Sequence, residues 1–418
     1  MIKVSILTIG DEVRIGQIIN TNAAWLSEKI TRLGAFISNH ITIGDDFDLM
    51  VKIITEQIEQ NDIVITTGGL GPTHDDITKP VLLKIFDDKL VFDEPTFENI
   101  QELFKRQNRT ISERNKLQAY VPSKAKILPN KVGTAPGLLF ELPHKAIFSL
   151  PGVPSEMKYI TENSILSYIS KLITTRKEEV ILYKTINVAG IFESNLADLI
   201  GQPDEFLGDS SSLAFLPSYK GIRLRIGTKQ PDFEFAKKEL DRISEIIYLK
   251  AGNFIWGEGD QDLSFEIGRL LKEKKLTLSV AESCTGGLLG GEITKIPGSS
   301  EYFIGGIISY SNEIKINHLK VNKSTIDQYG AVSHETASEM AKNIKNLFNT
   351  DIGISITGIA GPTGGTPEKP VGTVYIGIAY RDQIEIKKYI FGIDRNINRE
   401  RAVGASLLLL YNTLQHYF

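Results

Sequence analysis

Leu276-Thr277-Leu278-Ser279-Val280 runs straight into Ala281-Glu282-Ser283-Cys284-Thr285-Gly286-Gly287. The first five residues are a short apolar, β-prone run, and the two glycines after Thr285 let the backbone turn before the leucines that come next. A strand that empties into a helix through a glycine turn is the repeating unit of α/β folds. At such a turn helix-terminal amides lack partners, so it can hold an anion or a nucleophile; it can equally be a plain connection capped by Ser or Thr.

Outward from this turn the same rhythm continues. A helix over 263–274 precedes it, and strands are expected over 304–309, 352–356, 373–379 and 384–391. Two further strand ends carry chemistry-bearing residues. Ser309-Tyr310-Ser311-Asn312-Glu313-Ile314-Lys315 should open a helix capped by Ser311 or Asn312, with Lys315 one turn inside as a solvated surface residue or a base. Thr357-Gly358-Ile359-Ala360-Gly361-Pro362 is a glycine loop able to approach a ligand closely.

The N-terminal half repeats the pattern: strands over 4–9, 63–67 and 146–150 and helices over 22–33 and from 77 predict a parallel sheet covered on both faces. Ligands of such sheets gather at strand C-termini. Here these are Gly10-Asp11-Glu12, the run from Thr67-Gly68-Gly69-Leu70-Gly71-Pro72-Thr73 to Asp75-Asp76, and Pro151-Gly152-Val153-Pro154-Ser155-Glu156. The glycine amides can cradle phosphate while Asp75 and Asp76 hold a divalent metal, joined by Asp11, Glu12 or Asp45; the same carboxylates can merely cap a helix dipole.

Between the halves the rhythm breaks. Strands over 180–188 and within 214–227 and helices over 194–200 and 235–249 describe a small α+β module, read as a spacer or dimerisation element. A KH reading would need a basic glycine loop, and Val188-Ala189-Gly190-Ile191-Phe192-Glu193 is not basic. The expected fold is therefore α/β, two three-layer α/β domains (1–170 and 253–418) joined by a small α+β module (171–252).

The 418 residues are 41% apolar with a net charge of −4 and no basic cluster, which argues against nucleic acid as a partner. One cysteine, Cys284, excludes an internal disulfide and fits a cytoplasmic protein. No stretch approaches the ~20 apolar residues of a membrane span.

Taken together, these motifs resemble the CinA (competence/damage-inducible) family. The C-terminal likeness rests on Ala281 to Gly287, Tyr310-Ser311-Asn312 with Lys315, Gly330-Ala331-Val332-Ser333, the Thr357 to Pro362 loop and Lys369-Pro370-Val371-Gly372-Thr373-Val374. The N-terminal likeness, to the molybdopterin-binding (MoaB/MogA-like) fold, rests on Gly10-Asp11-Glu12, the run from Gly16 to Asn22, the Thr67 to Asp76 loop, Asn115, the run from Gly133 to Gly137 and that from Leu150 to Met157. Val13-Arg14 departs from the apolar pair expected after the acidic residues.

The resemblance implies nicotinamide mononucleotide deamidation in the C-terminal domain, without a cofactor, with Ser283 as nucleophile and Tyr310 and Lys315 handling protons. Ser with Lys is a known variant of triad logic, but the lysine must be neutral, which requires lowering its ordinary ~10.4 by roughly 2 to 3 units. Amides near Thr285 and Gly286 are candidate oxyanion donors, with Gly287 beside them. Thr357, Gly358, Gly361 and either Arg395 or Arg399 are candidates for the substrate phosphate, Arg395 being preferred. Cys284 competes as nucleophile. For the N-terminal domain the resemblance implies a metal-dependent ADP-ribose pyrophosphatase of pyridine-nucleotide salvage, with Gly68, Gly69, Gly71, Thr73, Gly152 and Ser155 around the substrate. The alternatives are molybdopterin binding with adenylyl transfer, or a non-enzymatic scaffold linked to competence. The family also suggests a homodimer.

Overall fold

A computed structural model describes residues 1–73, 76–106, 108–218 and 221–418. Its contacts divide the chain into two units, one of Met1–Tyr183, Leu207–Ser212 and Gly227–Ile243, the other of Lys184–Phe206, Leu213–Ile226 and Ser244–Phe418.

The strands of the N-terminal part are β1 (Lys3–Ile9), β2 (Phe36–Ile43), β3 (Ile63–Thr67), β4 (Leu90–Phe92), β5 (Tyr120–Pro122), β6 (Lys126–Leu128), β7 (Gly137–Leu142) and β8 (Lys145–Leu150). Six form one sheet in the order β2-β1-β3-β8-β7-β6, and β4 pairs with β5. The first four are parallel, whereas β7 pairs antiparallel with both β8 and β6. The sheet is therefore mixed rather than parallel, because the turn at Pro143-His144 closes a hairpin, with His144 at φ 62°.

Alternation along the buried strands feeds two cores, one on each face. Ile6, Ile65 and Phe148 meet Leu26 and Ile30 of the helix Thr21–Thr31. Leu7, Val64 and Ile147 meet Met50 and Ile54 of the helix Phe47–Gln60 and Val81 and Leu82 of the helix Thr78–Phe86. This is the expected three-layer arrangement. The helix that starts at Pro154 passes through a π turn at Thr161–Ile165 and runs on to Arg176, beyond the expected boundary at 170, because Ile169 and Ile173 still bury against the same core.

The middle module is a four-stranded sheet ordered β10-β11-β9-β12, made of β9 (Val180–Val188), β10 (Ser211–Ser218), β11 (Gly221–Gln230) and β12 (Ile255–Glu258). Because β12 pairs antiparallel with Ile186, Asn187 and Val188, the sheet reaches past residue 252.

The C-terminal sheet has the order β14-β13-β15-β16-β17, with β13 (Leu278–Glu282), β14 (Phe303–Ile308), β15 (Ile352–Gly358), β16 (Thr373–Tyr380) and β17 (Gln383–Ile390). Strand β13 lies parallel to both neighbours, which brings the ends of β13, β14 and β15 to one edge. Helices Leu263–Lys274, Leu288–Thr294 and Arg395–Tyr417 cover one face. The helix His334–Phe348 covers the other, where Met340 and Ile344 pack with Ala281. Among the described residues no helix is long and apolar enough to cross a membrane.

Gly353 shows how closely that second helix sits: a Cβ there would stand 2.5 Å from the Ala341 carbonyl oxygen and 2.9 Å from the Lys345 amide. Backbone cannot yield as a flexible side-chain tip can. Gly353→Ala is expected to lower stability by about 1–3 kcal/mol in urea unfolding of the full chain; an unchanged midpoint would show that the helix shifts freely.

Candidate active site

Glu282 ends β13 and organises the turn into the next helix. Its carboxylate, 2% exposed, accepts hydrogen bonds from the amides of Gly287 (3.0 Å), Leu289 (3.1 Å) and Gly290 (2.8 Å). These are donors that the helix Leu288–Thr294 and its cap would otherwise leave unpaired. Gly286 and Gly287, at φ 61° and 96°, provide the left-handed turn that lets the chain fold back over the carboxylate. The glycines are visible in the sequence, whereas the part played by Glu282 appears only once the turn is folded.

The turn places Ser283 with its amide on the Ile356 carbonyl (2.9 Å). Its Oγ accepts a hydrogen bond from Lys315 Nζ at 3.0 Å. Lys315 comes from the helix Asn312–Asn317, capped by the Ser311 hydroxyl on the Ile314 amide, and is 1% exposed. Nζ also donates to the Ser309 carbonyl at 2.6 Å, and Ser309 N donates to the Glu282 carbonyl at 2.7 Å, so strand ends β13 and β14 brace the amine together. Among the described residues Lys315 has no carboxylate partner. Burial pulls its pKa down from 10.5 to about 8.

Cys284 is also buried, and burial pushes its thiol up to about 11. At neutral pH it is a thiol and not the better nucleophile that a thiolate would be. The Gly286 amide donates to the Ser283 carbonyl (3.1 Å), closing the turn, so this expected oxyanion donor is spent. The Thr285 amide makes no backbone hydrogen bond among the described residues.

Tyr310 is 60% exposed, and its phenol accepts from Arg395 Nη2 at 2.9 Å rather than meeting Ser283 or Lys315. Arg395 Nη1 donates to the Gly361 carbonyl (2.7 Å) and Arg399 Nη2 to the Thr285 carbonyl (2.9 Å). Both arginines thus hold the loops around the serine. Thr357 donates to the Ala331 carbonyl at 2.6 Å, and Gly358 is packed against Val374 and the Thr373 carbonyl, so these two serve the loop's own structure. Asn398, not singled out from sequence, ties the Ala360 carbonyl (2.9 Å) to that of Gly392 (2.8 Å).

At the N-terminal strand ends a cavity of about 430 Å³ opens among Gly10, Glu12, Asp45, the glycines of the 68–71 loop, Thr73, Asp76, Gly152 and Glu156. Gly68 lies so close to Ile9 that a Cβ would fall 2.2 Å from its carbonyl oxygen. Asp76 accepts from the amide (2.8 Å) and hydroxyl of Thr73, and Asp11 pairs with Arg14 at 2.9 Å outside the cavity lining. Ser155 is exposed and does not line the cavity, and Asp75 lies outside the described residues. Glu156, unrecognised in the sequence, is half-buried, accepts from Asn130 (2.6 Å), and is raised above the usual carboxylate range by burial. Among the described residues no three His, Cys, Asp or Glu side chains form a ready-made metal cage.

Comparison with known proteins settles the lineage. A relative from Kosmotoga olearia, named a CinA-like protein, is 42% identical over 97% of both chains, and another of that name from Chloroherpeton thalassium is 40% identical over 98% of both. The chain belongs to the CinA family. The family's C-terminal domain model matches residues 260–414, the probable molybdopterin binding domain residues 5–171 and the damage-inducible protein CinA KH domain residues 183–257. The middle module therefore carries the KH assignment that sequence reading had set aside for want of a basic glycine loop. Among solved structures, a CinA superfamily protein from Klebsiella pneumoniae is 33% identical, covering 38% of this chain and 100% of its own, at a TM-score of 0.37.

Between pH 8 and 10.5 the folded protein has released the Lys315 proton while the unfolded chain still binds it. Stability from this group therefore rises with pH across that window and its cost is fully present below it. Relative to Lys315→Met, the wild type should gain about 2–3 kcal/mol between pH 7 and pH 10 in urea unfolding, at 1.36 kcal/mol per pKa unit. Parallel pH curves for the two proteins would refute the depressed lysine.

Proposed function

We propose that the C-terminal domain hydrolyses the amide of nicotinamide mononucleotide to nicotinate mononucleotide and ammonia. The observation that carries this reading is the 3.0 Å contact between the buried amine of Lys315, free of any carboxylate partner among the described residues, and the Ser283 hydroxyl. In its neutral form that amine takes the hydroxyl proton as Oγ attacks the amide carbon. The oxyanion so formed meets the amide of Thr285. Lys315 then returns the proton to the departing nitrogen, ammonia leaves, and a water activated by the same amine releases the carboxylate product from Ser283. Arg395, exposed and steadied by Tyr310 and Gly361, is the favoured contact for the substrate phosphate. Tyr310 then acts through Arg395 rather than as a proton relay.

For the N-terminal domain the proposal is cleavage of the ADP-ribose pyrophosphate with a divalent metal. The support is a glycine-walled cavity whose possible ligands among the described residues are oxygens, those of Glu12, Asp45 and Asp76 included. Such a set lacks a full protein cage but suits a hard cation held by one or two carboxylates together with substrate phosphate. When bound, the metal would neutralise charge on the pyrophosphate; Gly68, Gly69 and Gly71 would orient it. The match to a probable molybdopterin binding domain supports a second reading, molybdopterin binding with adenylyl transfer. Titration of the protein with ADP-ribose and with molybdopterin separates the two.

Ser283→Ala is expected to reduce ammonia release from nicotinamide mononucleotide to background, while Cys284→Ala keeps most of it; the reverse outcome would reassign the nucleophile. The rate should climb with pH through an ionisation near 8 and level off above it, as Lys315 loses its proton. A rate that falls across that range would exclude the amine as base.

A further inference from the structure

Glu156 stands in the first turn of the helix Pro154–Ile160 and lines the N-terminal cavity. An acid in that position ordinarily serves the amides of its own helix start. Glu156 turns elsewhere: its Oε2 accepts from Asn130 Nδ2, 2.6 Å away. Asn130 is 3% exposed and is itself fixed, its Nδ2 also donating to the Ala135 carbonyl (2.8 Å) and its own carbonyl accepting from Asn99 (2.7 Å). Gly133 leaves the room for this arrangement, because a Cβ there would overlap the Glu156 carboxyl group. The carboxylate thus lies against the 130–135 segment, whose Thr134 and Ala135 line the same cavity as the glycines of the 68–71 loop.

Two plainer uses of this carboxylate do not fit. No cation among the described residues pairs with it: Lys131 of the neighbouring segment is exposed, and the Nζ of Lys158, two residues on in the same helix, lies over the Trp25 ring. Nor does it join two other His, Cys, Asp or Glu side chains in a group that could hold a metal, although the carboxylates of Glu12, Asp45 and Asp76 line the same cavity. Burial, opposed by the Asn130 amide and the Ala135 backbone, holds its pKa above the usual carboxylate range. That moves it toward neutrality, where a carboxylate accepts protons most effectively.

We infer that Glu156 is the proton acceptor for the water that attacks the pyrophosphate in this cavity, an inference that rests on the pyrophosphatase reading of the same site. As the water oxygen bonds to one phosphorus, its proton passes to Glu156. The bridging P–O bond breaks and its electron pair leaves on the other phosphate, so ADP-ribose yields AMP and ribose 5-phosphate. Glu156 then returns the proton to solvent. Asn130, which fixes one oxygen of the acid, is a positioning residue. The carboxylates of Glu12, Asp45 and Asp76 are left for the cation, so acid groups within one cavity divide the work by surroundings, one half-buried against an amide and the others available to a hard ion.

The test follows AMP release from ADP-ribose and Mg²⁺ by the full chain between about pH 5 and 8, beside calorimetric binding of the uncleavable methylene-bridged analogue of ADP-ribose to the same proteins. Glu156→Gln is expected to lower kcat by about a hundredfold or more, while KM and the affinity for the analogue stay within about threefold. Wild-type kcat should rise with pH through an ionisation above the usual carboxylate range. Asn130→Ala removes a donor that favours the ionised acid, so it should move that limb to higher pH, a shift that a merely structural residue would not cause. Turnover that survives Glu156→Gln with its pH limb unchanged, or analogue binding lost together with turnover, overturns the inference and leaves the pyrophosphatase reading standing. A wild type that binds the analogue without cleaving ADP-ribose would remove that reading, and this inference with it.

Discussion

A buried carboxylate, that of Glu282, sets the geometry of the C-terminal site. Taking a charge out of water costs several kcal/mol unless donors replace the lost hydration. Three amides supply them, and in doing so fix the backbone from Gly287 to Gly290 around the acid. Ser283 comes directly after Glu282, so the position of its Oγ is inherited from the anchored acid on one side and the Ile356 carbonyl on the other. The anion slot at this helix start is filled by the chain itself.

The same anchoring keeps Lys315 without a counter-charge. A carboxylate aimed at the amine would hold it protonated; Glu282 is instead turned toward amides, while its main-chain carbonyl holds Ser309, whose own carbonyl receives the amine. Two buried ionisable groups thus do not pair with each other: three amides hold the Glu282 carboxylate, and the lysine is readily neutral because burial is opposed by no acidic partner. Tyr310, Arg395 and Gly361 form a second, outer chain of contacts that shapes the entrance without touching the serine.

Much of this was legible in the residues. The five C-terminal strands, the Ser311 cap and Lys315 one turn inside its helix come from local patterning and capping, which act over a few residues. The features that escaped depend on side-chain direction and distant partners. Tyr310 sits beside the right turn but its ring leaves toward Arg395, 85 residues away. Gly286 looked like an oxyanion donor because sequence does not reveal that its amide closes its own turn. In the N-terminal half, the Pro143-His144 hairpin carries none of the usual glycine turn signals, so the antiparallel strands β6 and β7 were not foreseen. Helix continuity through the π turn and the pairing of β12 with β9 are tertiary facts that local patterning does not carry.

The proposed chemistry rests on an amine that is readily neutral near physiological pH, and a site-resolved titration of the Lys315 ε-nitrogen by NMR, assigned by its absence in Lys315→Met, addresses it without any substrate. A midpoint near 8 is predicted. A midpoint at the solvated value above ~10 would contradict it, because a permanently charged lysine cannot take the serine proton.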